Sequence, residues 1–197
     1  MSGGPTSEHD LIRRARAGDQ DAFAELVTNN AGRVQGALRR FGLDAAEADE
    51  VAQEVFLRAW RGLARFEGRA QFSTWLYRIA FNEAQRRLSR RGPARAPADR
   101  EDQDAVLSLP DVPHLGPESQ ALDREFEQTL QTALERLPDD WRAAVVLRDI
   151  EGVSTKEAAE IVGVREPAFK SRLHRGRMEL RTLLEPYLKL EEGERGR

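Results

Sequence analysis

Ser154-Thr155-Lys156-Glu157-Ala158-Ala159-Glu160-Ile161-Val162-Gly163-Val164-Arg165-Glu166-Pro167-Ala168-Phe169-Lys170-Ser171-Arg172-Leu173-His174-Arg175 is the stretch from which the fold is read. Ser154 followed by Glu157 has the spacing of a capping box, in which hydroxyl and carboxylate each satisfy an orphan amide of the first turn. Ala158, Ala159, Ile161 and Val162 supply an apolar side, and Gly163 closes the helix. After a tight turn through Gly163-Val164, a second helix is predicted from Glu166 to about Leu184, with Pro167 tolerated in its first turn. Upstream, Pro138 opens a helix through Trp141, Val145, Val146 and Ile150 that Gly152 ends. Two helices joined by so short a glycine turn predict a helix-turn-helix.

At about 100° per residue, Phe169, Leu173, Gly176 and Leu180 share one sector of the second helix. Pro167, Lys170, Ser171, His174 and Arg175 share another. The first sector packs and the second faces outward. Cationic, hydroxyl and imidazole donors on an outward face, flanked by Arg172, Arg177 and Arg181, suit phosphate neutralisation and reading of base edges in a major groove. Lys170 and Arg175 are its principal candidates.

Outward from this unit, spacings of three and four recur and strict apolar-polar alternation is missing, so the chain is predicted to be all-α. From Gly92 to Gly116 prolines and acids accumulate, with Asp99, Glu101, Asp102, Asp104 and Asp111 against Arg95 and Arg100. Such a stretch buries no core. The expected organisation is therefore two small helical domains, residues 10–91 and 118–190, joined by a Pro-rich acidic linker over 92–117. Flexible ends are expected over 1–9 and 191–197.

The 197 residues carry 31 Lys+Arg against 34 Asp+Glu, a formal net charge of −3, which excludes a uniformly basic polymer binder. Without cysteine there is no disulfide framework, thiolate zinc site or thiol nucleophile, and the three histidines are too scattered for a metal site. No metal or cofactor is expected. Neither a leader pattern nor a run near the ~20 apolar residues of a membrane span is present, so the chain reads as soluble and cytoplasmic. Ser73, Ser154 and Ser171 lack His and Asp partners at suggestive spacing, and no phosphate-binding glycine loop precedes a lysine. An enzyme is not expected.

In the first block, Phe66 to Asn82 combines a glycine loop, a Ser/Thr helix start near Ser73 and five aromatics among arginines. Unpaired bases stack on aromatic faces for about 1–3 kcal/mol each while cations follow the backbone. At helical spacing Phe72, Trp75 and Phe81 suit a core. The loop Phe66 to Gln71, with Glu67, Gly68 and Arg69, is the better candidate for holding a base. Rotation places Arg78, Asn82, Gln85, Arg86 and Ser89 on one polar stripe able to lie against DNA. Upstream, Val51, Val55 and Ala59 define a buried side, while Asp49, Gln53, Phe56 and Trp60 project elsewhere. Two aromatics among polar groups suit a protein interface with central anchors. Core packing of Phe56 and Trp60 fits the same spacing.

Three ordered signals resemble the extracytoplasmic-function (ECF) sigma factors, the minimal two-domain class of sigma-70-like transcription initiation factors. They are Asp49-x3-Gln53-Glu54-Val55-Phe56, Phe66-x-Gly68-x3-Phe72-Ser73-Thr74-Trp75-Leu76-Tyr77-Arg78-Ile79-Ala80-x-Asn82, and Lys170-Ser171-Arg172-Leu173-His174-Arg175-Gly176-Arg177. The resemblance implies a region 2-like bundle, a region 4-like helix-turn-helix and two partners, bacterial core RNA polymerase and promoter DNA. An anti-sigma factor is a further family expectation. By the same resemblance Asp49, Gln53, Glu54 and Phe56 dock on polymerase. Phe66, Glu67, Gly68, Arg69, Trp75, Arg78, Asn82 and Arg86 serve the −10 element and strand opening. Lys170, Ser171, Arg172, His174, Arg175 and Arg177 serve the −35 element. Arg165-Glu166-Pro167-Ala168-Phe169 departs from the family pattern, and Gly176, where alanine is usual, should cost the helix roughly 1 kcal/mol. A dimeric helix-turn-helix regulator acting without polymerase would explain the second block only.

Overall fold

The computed structural model describes residues 7–91 and 120–195, with side chains over 7–91 and 125–187. The expected linker, residues 1–6 and the last two residues lie outside the described residues. All regular structure among the described residues is helical, and the chain divides into two units, Met1–Gly92 and Pro93–Arg197.

The first unit is built from α1 (Glu8–Arg16), α2 (Gln20–Arg40), α3 (Ala45–Gly62), a 3-10 turn (Leu63–Arg65) and α4 (Phe72–Ser89). Each start has a local cause. Ser7 caps α1, and Asp19 caps α2 by accepting from the Ala22 amide at 3.0 Å while its other oxygen takes Arg14 Nε at 2.8 Å. Asp44 and Glu47 form a reciprocal capping box on α3, the Glu47 amide donating to Asp44 at 2.9 Å and the Asp44 amide to Glu47 at 3.3 Å. Gly42, at φ 107°, makes the reversal between α2 and α3 in a conformation closed to side chains with a Cβ.

Leu11, Leu26, Val34, Leu38, Val55, Leu63, Phe72 and Leu76 fill the core of this bundle. Asn30 is buried with them and remains satisfied by donating to the Leu26 carbonyl at 2.8 Å. Cross-links from α3 to α4 fix their antiparallel register: Glu50 meets Arg87 and Glu83 meets Arg58. The start of α4 differs slightly from expectation. Its N-cap is Gln71, without a side-chain bond, and the first helical residue is Phe72 rather than the Ser/Thr pair. Burial of Phe72 against the core holds that end without a hydroxyl cap.

The second unit holds α5 (Gln120–Arg136), α6 (Asp139–Val145), a π-turn (Val146–Ile150), α7 (Thr155–Val162) and α8 (Glu166–Arg195). The single helix expected from Pro138 to Ile150 therefore changes pitch midway. At α7 only half of the expected capping box forms. Ser154 accepts from the Glu157 amide at 3.3 Å, but the Glu157 carboxylate takes the Ser154 hydroxyl instead of the Ser154 amide. Gly163 ends α7 in the left-handed conformation, φ 74°.

α8 continues beyond Leu184 to Arg195, through Pro186 and into residues expected to be a flexible tail. Contact between Phe126 of α5 and Tyr187 of α8, rings 5.9 Å apart, gives that extension a partner. Gly176 also departs from expectation. A Cβ there would lie 2.8 Å from Val145 Cγ2 and 3.0 Å from the Trp141 carbonyl oxygen, so the glycine permits a close crossing of α6 and α8. Its propensity cost is the condition for that approach.

Gly176→Ala should gain about 1 kcal/mol of helix propensity and lose about 1–3 kcal/mol to overpacking. A lowered urea midpoint, followed through the fluorescence of adjacent Trp141, is the expected net result. The Ala22 amide and then the Arg14 guanidinium hold the Asp19 carboxyl below its ordinary pKa. Its stabilisation is complete above the unfolded carboxyl value of about 3.9 and disappears as pH falls through the lower folded value. Asp19→Ala should therefore lower the denaturation midpoint at pH 7, with the gap from wild type narrowing as the medium is acidified below pH ~4.

Candidate nucleic-acid interface

The loop between the 3-10 turn and α4 is anchored from below. Phe66 is buried, its ring 5.7 Å from Phe72 and 5.1 Å from Trp75, and Phe72 and Trp75 are 5.6 Å apart. Phe66 is thus the floor of the loop and not an open stacking face, because the edge contact with Phe72 takes its apolar surface out of water. The exposed part is Glu67, Gly68 and Arg69. Gly68 adopts φ 72°, and Arg69 Nε pairs with Glu67 at 2.6 Å. Trp75 is half-buried between this floor and solvent. An open cleft of about 640 Å³ separates α1 from the loop, with Phe66 and Phe72 among its apolar lining and Arg13 and Arg16 at its rim.

Along α4 the predicted stripe forms: Arg78, Asn82, Arg86 and Ser89 are exposed and Gln85 is half-buried, while Leu76, Tyr77, Ala80 and Ala84 pack inward. Glu83, which the sequence reading passed over, lies beside the stripe with its side chain only 9% exposed. One carboxylate oxygen takes Arg58 Nε at 2.7 Å and the other takes Arg86. A carboxylate so placed stays charged at tolerable cost only with such partners. Its spacing three residues before Arg86 was the available signal.

On α3, Asp49, Gln53 and Glu54 are exposed and Phe56 is half-buried. Trp60 packs its ring against Phe23 at 4.8 Å, so it anchors the bundle. The Asp49 carboxylate is oriented by Gln35 of α2, whose amide donates to it at 3.1 Å. Leu57, 49% exposed beside these polar groups, is an apolar contact that sequence reasoning missed. Helical spacing did not separate it from core leucines.

In the second unit Phe169 and Leu173 are buried, as the rotation predicted. On the opposite side of α8, Lys170 and Ser171 are exposed and His174 and Arg175 half-buried. Arg172 and Arg177, expected beside them at the DNA face, pair instead with carboxylates of α6 and the π-turn. Arg172 pairs with Asp140 at 3.2 Å. Arg177 makes a two-pronged bond to Asp149, Nε at 2.8 Å and a terminal nitrogen at 2.5 Å. Carboxylates of α6 and the π-turn compete for these guanidiniums, a contest invisible in α8 alone. Glu166 in the first turn of α8 is exposed where acid complements the helix dipole. No helix among the described residues is long and apolar enough to cross a membrane, and none of their His, Asp or Glu side chains gather as a metal site.

Residues 26–93 match the Sigma-70 region 2 family and residues 127–180 match Sigma-70 region 4. The chain is 37% identical over 191 residues to the RNA polymerase sigma-H factor of Pseudomonas aeruginosa, covering 93% of this chain and 98% of that protein. It is 33% identical over 176 residues to the ECF RNA polymerase sigma factor SigW of Bacillus subtilis, covering 88% and 94% respectively. Among solved structures it is similar to CnrH in complex with the cytosolic domain of CnrY, at TM-score 0.63 and 28% identity, covering 89% of this chain and 96% of that one. Matches in both units leave the stand-alone dimeric regulator without support. With region 2 matched in the first unit and region 4 in the second, and with relatives of this identity along nearly the whole chain, the chain belongs to the ECF sigma factors of the sigma-70 family of transcription initiation factors.

Proposed function

We propose that α3 docks this sigma factor on core RNA polymerase, that the 66–71 loop and the α4 stripe engage the −10 element, and that the outward face of α8 reads the −35 element. The observation that carries this reading is the rigid support beneath an exposed loop tip. Phe66, Phe72 and Trp75 fix both ends of Glu67-Gly68-Arg69, while Arg78, Asn82 and Arg86 continue the same side along α4. Extruding a base costs a few kcal/mol. A preorganised loop and cationic stripe offset that cost when polymerase holds the promoter in place, and binding energy alone does the work, without covalent chemistry, metal or cofactor.

Asp49, Gln53 and Glu54 form the polar part of the polymerase contact, with Phe56 and exposed Leu57 as its apolar part. Lys170, Ser171, His174 and Arg175 contact the −35 element, whereas Arg172 and Arg177 hold α8 in place. The site of action is the cytoplasm, where polymerase and promoters are. An anti-sigma factor is a further partner, and the structure of the similar protein CnrH in complex with the cytosolic domain of CnrY supports binding to a second polypeptide.

The purified chain should shift a promoter fragment in a gel only after core polymerase is added; equal retardation without polymerase would contradict the proposal. Arg175→Ala should weaken promoter binding by the holoenzyme by about 1–3 kcal/mol with core affinity unchanged. Asp49→Ala and Gln53→Ala should instead reduce co-purification with core polymerase. Undiminished recovery would remove α3 as the docking element.

A further inference from the structure

Position 83 belongs to the packed side of α4. At about 100° per residue it falls within about 20° of both Phe72 and Leu76, whose side chains are buried in the core. An apolar residue would suit that sector, yet the chain places an acid there, and Glu83 is itself buried. A buried carboxylate is costly unless paired, and exchanging a buried ion pair for apolar groups often leaves stability unchanged or raises it. Packing alone therefore gives no reason for Glu83.

Its two oxygens show what the acid does. Oε1 takes Nε of Arg58 from α3 at 2.7 Å, and Oε2 takes a terminal nitrogen of Arg86, three residues further along α4. Arg58 anchors the carboxylate across the hairpin, and the carboxylate in turn holds the head of Arg86. That guanidinium belongs to the exposed stripe, with Asn82 and Arg78 before it at spacings of four. Its Nε and other terminal nitrogen have no partner among the described residues. Arg86 is thus held at one point and still able to donate at the others.

We propose that Glu83 is a positioning residue for −10 recognition: anchored by Arg58 of α3, it aims Arg86 so that its guanidinium meets the promoter in one geometry. An arginine without such a hold swings on a long stem and finds phosphates in many directions. One held at its head presents a planar donor fork in a single direction, which is what discrimination between base edges needs. The cost of ordering that side chain is met when the protein folds and not when DNA binds. This role rests on the −10 reading of the α4 stripe given above.

The test uses the full chain assembled with core polymerase and compares its affinity for two promoter fragments that differ only in a scrambled −10 element. Glu83→Gln removes the charge at nearly constant size and should lower the preference for the intact fragment by about tenfold, as Arg86→Ala should. The double variant Glu83→Gln/Arg86→Ala should show no further drop beyond Arg86→Ala, since a residue that works through another has no effect once the other is gone. Glu83→Leu suits the apolar sector and leaves Arg58 and Arg86, with side chains 44% and 47% exposed, free to turn to water. It should repeat the loss of preference even if the amide variant does not fold. Wild-type preference in the folded Gln or Leu variant overturns the proposal, and so does a second full drop in the double variant. A loss of core affinity also overturns it, because Glu83 would then support polymerase docking. A wild-type holoenzyme that does not distinguish the two fragments would instead overturn the −10 reading itself, and full preference in Arg86→Ala would remove both Arg86 and Glu83 from it.

Discussion

Packing of Phe66, Phe72 and Trp75 at the closed end of the α3–α4 hairpin is the constraint on which the first unit depends. Each large apolar side chain removed from water contributes about 1.5–3 kcal/mol, and tilted or edge-on ring pairs add about 0.5–1.5 kcal/mol. The same contacts shape the surface. With Phe66 at one end of the loop and Phe72 at the other, the three residues Glu67-Gly68-Arg69 are pinned at both ends and left outside. The rings that stabilise the hairpin are thus the same ones that support the loop proposed to engage the −10 element.

Arginine is the cation of the ion pairs described in both units, and its role depends on what lies across from it. Arg87, Arg91, Arg172 and Arg177 face carboxylates from neighbouring helices. Pairs of this kind add little net stability at a surface, but they favour one register because each guanidinium reaches only the carboxylates placed opposite it. Glu83 is the more demanding case. Its burial would be costly alone, and Arg58 from α3 with Arg86 from α4 makes it tolerable while tying the two helices together.

The second unit solves a different problem, which is how to hold a long helix at one angle. α8 is attached to α6 and the π-turn at successive points by Arg172 with Asp140, by Gly176 against Trp141 and Val145, and by Arg177 with Asp149. Gly176 lies on the packed side with Phe169 and Leu173, and Arg172 and Arg177 flank the outward face. Outward side chains are thereby aimed as a set, as the proposed reading of base edges requires, since each hydrogen bond there has a narrow geometry.

Helix class, the two-block organisation of the described residues, the buried Phe169 and Leu173 and the exposed α4 stripe follow from local pattern. Periodicity reports burial whenever one helix packs one face, and the paired motifs carried the family. Roles that hinge on a residue from another helix were out of reach: Phe66 turned from platform to floor, Arg172 and Arg177 from candidate readers to braces, and Gly176 from weakness to point of contact. Helical periodicity states which way a side chain points along its own axis, but what it meets there is set by the helix packed across from it. That partner is brought into place only by folding.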